Sequence, residues 1–317
     1  MKLKLPGGLR LWVTLASFGF VGWALAGHVA GLRDLTITAR GWWWLLLALA
    51  LSWLSLVVNA LAWRVLVDWL GHGRGDLPLV PLHLRTNLFK YLPGGIWHFV
   101  DRLRALQPRV GTNRALASVL LEPLVMAVAA LLWVPLGGWQ SGLAVLCLMP
   151  ALVLLPRWRE PLLVRLERAK WKQLQRSDAD ALAPLDADHL GSGRSGYPWA
   201  PLGLEMAFVF CRFTGFWCCV QTFDLGSSHS ALVWLAGFAL AWTVGLVVPA
   251  APGGLGVFEA VLLLRLSSLV AEAPLLGVAL SYRLVVTMAD VLAAAAIQLD
   301  QRWSVASDAP QTSSPQG

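Results

Sequence analysis

The sequence predicts an all-α, polytopic membrane protein with about seven or eight membrane segments in a helical bundle. The chain has 317 residues, 57% of them hydrophobic, and its mean hydropathy is +0.63. Only 14% of the residues are charged, against about 25% in soluble domains. Apolar runs long enough to cross a ~30 Å hydrocarbon core recur along the chain. These observations exclude a soluble globular domain.

Two similar glycine-rich motifs predict two pseudo-repeated halves, each with one broken and possibly re-entrant hairpin. Residues Pro252 to Phe258 read P-G-G-L-G-V-F and follow an uncharged run, 231–248. Residues Pro93 to Phe99 read P-G-G-I-W-H-F and share the pattern P-G-G-apolar-x-x-F, 159 positions earlier. Broken segments at corresponding positions of two halves indicate a binding site between structural repeats. The alternative is chance, because Pro-Gly and Gly-Gly are common turn dipeptides.

The remaining elements follow from the apolar runs taken in order. Residues 11–32 predict a retained first span; a signal peptide ending near Ala24-Leu25-Ala26 is the alternative. Residues 255–270 are short for a span, so this segment either crosses the membrane or re-enters it. The other predicted spans are 42–63, 115–136, 139–156, 200–223, 231–248 and 274–299.

Polar segments set the predicted domain boundaries. Residues 1–156 form the first membrane half, and 199–299 form the second. Between them, 157–198 begins as a basic amphipathic helix and ends as a flexible linker rich in Asp, Ala, Gly and Ser. Residues 300–317 are a polar, disordered tail. Residues 82–106 carry too much charge to span lipid, which predicts short helices broken at the first glycine motif, or one interfacial amphipathic helix.

The basic residues predict orientation, not nucleic-acid binding. The amino terminus, residues 68–114 and residues 157–198 hold 18 of the 25 Lys and Arg residues. Cytoplasmic loops carry such an excess, so we expect these segments in the cytoplasm and the protein in the cytoplasmic membrane. The net charge of +7 then reflects contact with anionic head groups.

Ionisable residues within the apolar runs are the candidates for a binding site. Each costs about 2.5–3.5 kcal/mol at the centre of an inserted helix, so it is either functional or paired. Glu205 and Arg212 lie seven residues apart, and so do Arg283 and Asp290. Seven residues are two helical turns, which separate the members of each pair by ~10 Å, too far for direct contact. Their partners must therefore come from other helices. The full set is Arg64, Glu122, Glu205, Arg212, Glu259, Arg265, Arg283 and Asp290.

The glycine turns predict an anion site. Backbone N–H groups at a turn that opens a helix attract phosphate, and arginines add charge-assisted hydrogen bonds. Structural pairing that fixes helix register is the alternative, above all for Glu122, Glu205 and Arg212. The candidate head-group residues are Pro93, Gly94, Gly95, Arg102, Pro252, Gly253, Gly254, Gly256, Glu259, Arg283 and Asp290.

Three stretches resemble the transmembrane domain of the lysylphosphatidylglycerol synthase/flippase family and its short membrane relatives. They are Asn87 to Arg102 (NLFKYLPGGIWHFVDR), Pro252 to Glu259 (PGGLGVFE) and Tyr282-Arg283-Leu284. The resemblance implies a bacterial inner-membrane domain that moves a lipid, such as an aminoacylated phosphatidylglycerol, between leaflets. Other relatives are linked to polyprenyl-phosphate or glycolipid pathways. Only a short tail follows Leu299, so lysyl transfer is not supported.

Three functions therefore compete. The first is a translocator of an anionic lipid or lipid-linked saccharide that needs no cofactor. The second is a membrane enzyme, for which Asp178-Ala-Asp180 and Asp186-Ala-Asp188 match the D-x-D pattern of glycosyltransferases. Both motifs lie in a linker rich in Ala and Asp, so a solvated loop explains them better than a catalytic site does. No H-E-x-x-H, G-x-S-x-G or P-loop pattern occurs. The third is a scaffold for a lipid enzyme or glycosyltransferase partner.

Overall fold

The computed structural model describes residues 37–71, 77–91, 97–138, 142–178, 186, 190–227, 229–248, 254 and 256–307. Every regular element in this part of the chain is helical, which confirms the all-α prediction. The first predicted span, its signal-peptide alternative and the tail beyond 307 lie outside the described residues. The α-helices are α1 Ala39–Trp69, α2 Leu79–Asn87, α3 Trp97–Val110, α4 Thr112–Leu131, α5 Leu143–Leu148, α6 Pro156–Asp178, α7 Trp199–Thr222, α8 Ala231–Val247, α9 Val257–Leu266 and α10 Glu272–Ser307. Four 3-10 helices accompany them: Leu88–Tyr91, Val134–Gly137, Met149–Leu154 and Leu225–Ser227.

Among the residues that the structure describes, four helical segments are long and apolar enough to cross a membrane. They are Ala39–Trp69, Thr112–Gly137, Trp199–Thr222 and Glu272–Asp300. Helix α8 is apolar and shorter, with 17 residues. Helix α9 has 10 residues and is therefore ~15 Å long, about half of a ~30 Å hydrocarbon core. A length of this kind fits a segment that re-enters the membrane.

The structure differs from the single span predicted for residues 139–156. Helix α5 ends at Leu148, and the chain continues as the 3-10 helix Met149–Leu154. The cause lies in the residues at both ends. Gly142 before α5 has a positive φ of 83°, and Pro150 has no N–H group to continue an α-helical hydrogen-bond ladder. Hydropathy does not depend on backbone conformation, so these apolar residues predicted one continuous span.

Helices α1 and α7 make the most extensive contact in the bundle. Small residues allow it: Gly41 of α1 lies against Thr222, and Gly215 of α7 lies against Ser52. A Cβ atom at Gly215 would stand 2.8 Å from Ser52 Oγ, so only glycine fits this approach. Close backbone packing through small residues is typical of helices in lipid, where apolar burial drives association weakly.

An aromatic core joins α7, α8, α9 and α10. The Phe216 and Phe238 ring centroids lie 5.0 Å apart, and those of Phe258 and Tyr282 lie 5.8 Å apart. Large apolar side chains also point outward, among them Leu264 of α9, which is 85% exposed. An apolar exterior over a packed aromatic interior is expected for a protein surrounded by lipid. This core supports the short helix α9 and the glycine turn before it.

Helix α6 lies where the sequence predicts a basic helix followed by a linker, and part of the chain after it packs against this helix. Fully buried Arg159 donates hydrogen bonds to the carbonyl oxygens of Arg194 and Gly196. Glu160 and Glu167 accept hydrogen bonds from the backbone N–H groups of Ser192 and Gly191. Residues 190–198 are therefore held against α6, because three charged side chains of that helix bind backbone groups of the segment.

Candidate functional site

The second glycine turn is a tight backbone structure between α8 and α9. Gly254 has a φ of +70° and Gly256 a φ of +80°, a region that residues with side chains rarely adopt. A Cβ atom at Gly254 would stand 3.0 Å from the carbonyl oxygen of Gly245 in α8. The turn therefore needs glycine at position 254 for its backbone angle and for its contact with α8.

Glu259 and Arg283 bind this turn from two sides. Glu259 Oε2 accepts a hydrogen bond of 2.7 Å from the N–H group of Gly256 at the start of α9. Its Oε1 accepts one of 2.7 Å from Arg283 Nε, and Arg283 Nη2 donates to the Gly254 carbonyl at 2.8 Å. The guanidinium also lies 4.9 Å from the centroid of the Phe258 ring. We call Gly254, Gly256, Glu259 and Arg283 the turn cluster.

The turn cluster contains two opposite charges, and their side chains differ in solvent exposure. A carboxylate in the first turn of a helix is favourable because the helix N-terminus carries partial positive charge. The Glu259 side chain is only 3% exposed, whereas that of Arg283 is 24% exposed. Arg283 is thus the charged member that a molecule outside the protein can reach.

Asp290 connects α10 to the chain just before the first glycine motif. It lies two turns beyond Arg283, and its side chain is fully buried. Its Oδ1 accepts a hydrogen bond of 2.8 Å from Asn87 Nδ2, and its Oδ2 lies 2.7 Å from Lys90 Nζ. The partners of Asp290 therefore come from other helices, as the seven-residue spacing predicted. We call Asn87, Lys90 and Asp290 the bridge.

Helix α10 contacts both the chain before the first glycine motif and the second turn. Lys90 precedes Pro93 by three residues in the sequence, and Arg283 binds Gly254 of the second turn. The chain that leads to the first motif is consequently held to α10 at Asp290, and the second turn is held to it at Arg283. The predicted site residues Pro93, Gly94, Gly95, Pro252 and Gly253 lie outside the described residues.

Arg102 belongs to a separate group of buried side chains. Its Nη1 donates to Glu122 Oε2 at 2.6 Å, and its Nε donates to Thr86 Oγ1 at 3.0 Å. His83 Nε2 lies 2.8 Å from Glu122 Oε1, and the Arg102 guanidinium lies 5.2 Å from the Trp63 ring centroid. We call His83, Thr86, Arg102 and Glu122 the closed cluster. The described contacts of Arg102 all fall in this cluster or on Trp63, so its place in the head-group site stays a prediction.

Sequence reasoning did not assign Asn87, Lys90, His83 and Thr86 to a site. The signal for the bridge was present: Asn87 and Lys90 are three residues apart beside the first glycine motif, and so share one helical face. His83 and Thr86 have the same spacing on α2. Within the described residues, no group of three or more His, Cys, Asp or Glu side chains has the arrangement of a metal site. Of the two D-x-D motifs, Asp180 and Asp188 lie outside the described residues.

One comparison with known proteins identifies the family. The family described as Lysylphosphatidylglycerol synthase TM region matches residues 10–294, nearly the whole chain. The chain belongs to this family. The match confirms the resemblance carried by the two glycine motifs and by Tyr282-Arg283-Leu284. None of the curated proteins matches the chain. Membership in the Lysylphosphatidylglycerol synthase TM region family, together with the apolar helices, makes this an integral membrane protein.

Proposed function

We propose that this protein moves an anionic lipid or lipid-linked saccharide between the leaflets of the cytoplasmic membrane. The observation that carries the proposal is the convergence of both glycine segments on α10. Lys90, beside the first motif, contacts Asp290, and Arg283 of the same helix contacts Gly254 of the second. Transport proteins bind their substrates where broken helices of two halves meet, near the middle of the membrane.

Partial exposure of two cations supports the same proposal. The side chains of Arg283 and Lys90 are 24% and 23% exposed, while their carboxylate partners are 3% and 0% exposed. Cations border the polar region where it meets the outside, and carboxylates lie behind them. This order of charges suits a negatively charged head group, because charge-assisted hydrogen bonds from arginine and lysine are strong.

A leaflet assay tests the proposal. The purified full chain is reconstituted into vesicles containing a fluorescent phosphatidylglycerol, and a membrane-impermeant quencher reports how fast the lipid reaches the outer leaflet. We expect wild-type protein to accelerate this exchange. Glu259→Gln and Arg283→Ala should slow it at least about tenfold, because each removes a charged contact of the turn cluster.

A matched control separates function from folding. Leu264→Ala changes an outward-facing side chain of the same helix, α9, and should leave the exchange rate unchanged. Each variant must also give a monodisperse protein with a cooperative melting transition. Exchange at the wild-type rate in folded Glu259→Gln and Arg283→Ala proteins would contradict the role of the turn cluster. Wild-type vesicles no faster than protein-free vesicles, over a panel of anionic lipids, would contradict the function.

The scaffold alternative makes a different prediction for the same variants. A protein that only holds a partner enzyme needs a folded surface and no mobile head-group site. It would then retain its cellular role when Glu259→Gln abolishes head-group binding. Complementation of a deletion strain by this variant would favour the scaffold.

A further inference from the structure

Arg212 of α7 is a buried arginine that the turn cluster, the bridge and the closed cluster do not include. Its relative exposure is 5%, and its Nε and Nη1 atoms are buried without a hydrogen-bond partner among the described residues. The guanidinium carbon lies 5.5 Å from the centroid of the Phe208 ring, which covers one side of the group. A buried guanidinium whose N–H groups find no acceptor is costly, so such an arginine normally has an acceptor to bind.

Arg212 lies within electrostatic range of groups that Arg283 also affects. Its positive charge and that of Arg283 both act on the Lys90 amine. Both arginines also act on the hydroxyl group of Tyr282, whose ring packs edge-on against Phe216, one turn beyond Arg212, at 5.5 Å. Arg212 therefore faces the part of α10 that carries Arg283, and it lies within electrostatic range of the bridge.

The charges in this region leave an excess of one cation. Arg283 is paired with Glu259, and Lys90 is paired with Asp290. Arg212 is the third cation, and the described carboxylates of this region are already in contact with the other two. Glu205, two turns away on the same helix, is ~10 Å distant and cannot reach it. A single negative charge would balance the region.

We propose that Arg212, whose charge acts on the same groups as that of Arg283, binds the phosphate group of the transported molecule, at a subsite separate from the glycine turn. The inference rests on the proposed function for the nature of the ligand, and on the orphaned N–H groups of Arg212 for its position. Arg283 and Lys90 would line the way in from the exposed side, while Arg212 provides two N–H donors at the inner end. A planar guanidinium suits a phosphate because two of its donors can bind two oxygens at once.

Binding of defined probes to the full chain tests this subsite. The probes are a short-chain phosphatidylglycerol, the diacylglycerol of equal chain length that lacks the phosphate, and inorganic phosphate at constant ionic strength. We expect the phospholipid to bind and to raise the melting temperature, and the diacylglycerol to do neither. Arg212→Gln should weaken phospholipid binding about tenfold to a hundredfold, the effect of losing hydrogen bonds to a charged group.

Stability of the ligand-free protein separates a binding role from a structural one. If the N–H groups of Arg212 are paired only when a ligand is bound, Arg212→Gln removes a buried, unpaired charge from the ligand-free protein. Its ligand-free melting temperature should then be unchanged or higher. If Arg212 only holds helices together, the same variant lowers that temperature and leaves phospholipid affinity intact, which would overturn the inference. Arg212→Lys keeps the charge without the two-donor fork, so we expect intermediate affinity, and it serves as the reporter should Arg212→Gln not fold.

A second arginine provides the matched control. Arg64→Gln removes one positive charge from α1. Arg64 is not among the charges that act on Lys90 or Tyr282, so this variant should not change phospholipid affinity. Equal losses of phospholipid affinity in Arg64→Gln and Arg212→Gln would show that the lipid is attracted by the overall positive charge of the protein. This result would overturn the subsite. Arg212-dependent binding of inorganic phosphate would support the subsite and indicate a free anion as its source. The protein could also bind phospholipid through Arg212 and yet exchange no lipid between leaflets. This result would contradict the proposed function but would support the subsite.

Discussion

The turn cluster and the closed cluster are made from the same chemical groups in different surroundings. Each contains an Arg–Glu pair: Arg283–Glu259 at 2.7 Å in one and Arg102–Glu122 at 2.6 Å in the other. Arg102 and Glu122 have side chains 3% and 4% exposed, whereas the Arg283 side chain is 24% exposed. The closed cluster is sealed inside the first half, and the turn cluster opens outward beside a broken helix. Exposure and backbone geometry, and not residue type, separate a structural ion pair from a candidate site.

The largest expected effect tests whether the closed cluster is only structural. Arg102→Met leaves the Glu122 carboxylate buried without its cation, so we expect a loss of about 3–5 kcal/mol in the free energy of unfolding. Adding Glu122→Gln removes the orphaned charge and should recover much of that loss. The measurement is the melting temperature of each purified variant.

Lipid exchange by the double variant sharpens the comparison. We expect Arg102→Met/Glu122→Gln protein to keep near-wild-type exchange between leaflets, because the described contacts of Arg102 stay within the closed cluster or on Trp63. Loss of exchange in a stable double variant would place Arg102 in the head-group site, as its position after the first glycine motif predicted from sequence.

A smaller effect is expected from the backbone of the second turn. Gly254→Ala places a side chain at a φ of +70°, at a cost of about 1–2 kcal/mol, and its Cβ atom meets the Gly245 carbonyl oxygen at 3.0 Å. We expect a lower melting temperature and slower lipid exchange. Gly203→Ala is the control: this helical glycine of α7 has open space around it, so alanine should stabilise the protein by about 0.5–1 kcal/mol. Equal melting temperatures for both variants would mean that the turn is not constrained as described.

The smallest effect concerns a buried carboxylate outside the membrane spans. Burial raises the pKa of Glu167 in α6 to about 7, and nearby Glu160 adds to the rise, while the Gly191 N–H group lowers it. Because the folded-state pKa is raised, ionisation destabilises the fold: stability falls as the pH rises from the unfolded value of 4.5 towards 7 and is constant above that.

Glu167→Gln should remove the loss of stability that ionisation of Glu167 causes as the pH rises. We expect it to stabilise the protein by about 1–2 kcal/mol at pH 8 and to have little effect at pH 4, because the carboxyl group is then already protonated. Melting temperatures of wild type and variant across this pH range provide the measurement. A difference that does not change with pH would show that folding does not raise the pKa of Glu167 and would contradict this account. This pH response belongs to α6 and should leave both clusters of the bundle unaffected.

The sequence predicted the membrane bundle, because composition and apolar run length depend on the solvent around a helix and not on its neighbours. It also placed Gly254, Gly256, Glu259 and Arg283 in one site, since a glycine break next to a membrane carboxylate is rare. It did not predict that Lys90 meets Asp290, a contact between residues 200 positions apart in sequence. Nor did it separate Arg102 from Arg283, because the sequence made both arginines candidates for the head group and only packing decides which one is buried.

The central claim is that both glycine segments act on one polar region along α10, and a double-mutant cycle across the bridge tests it most directly. Lipid exchange is measured for wild type, Lys90→Gln, Asp290→Asn and the double variant. If the two residues work as one unit, each single variant slows exchange and the double variant is no slower than the worse single one. Single variants that exchange lipid at the wild-type rate, or a double variant whose loss is the product of the two single losses, would contradict the claim.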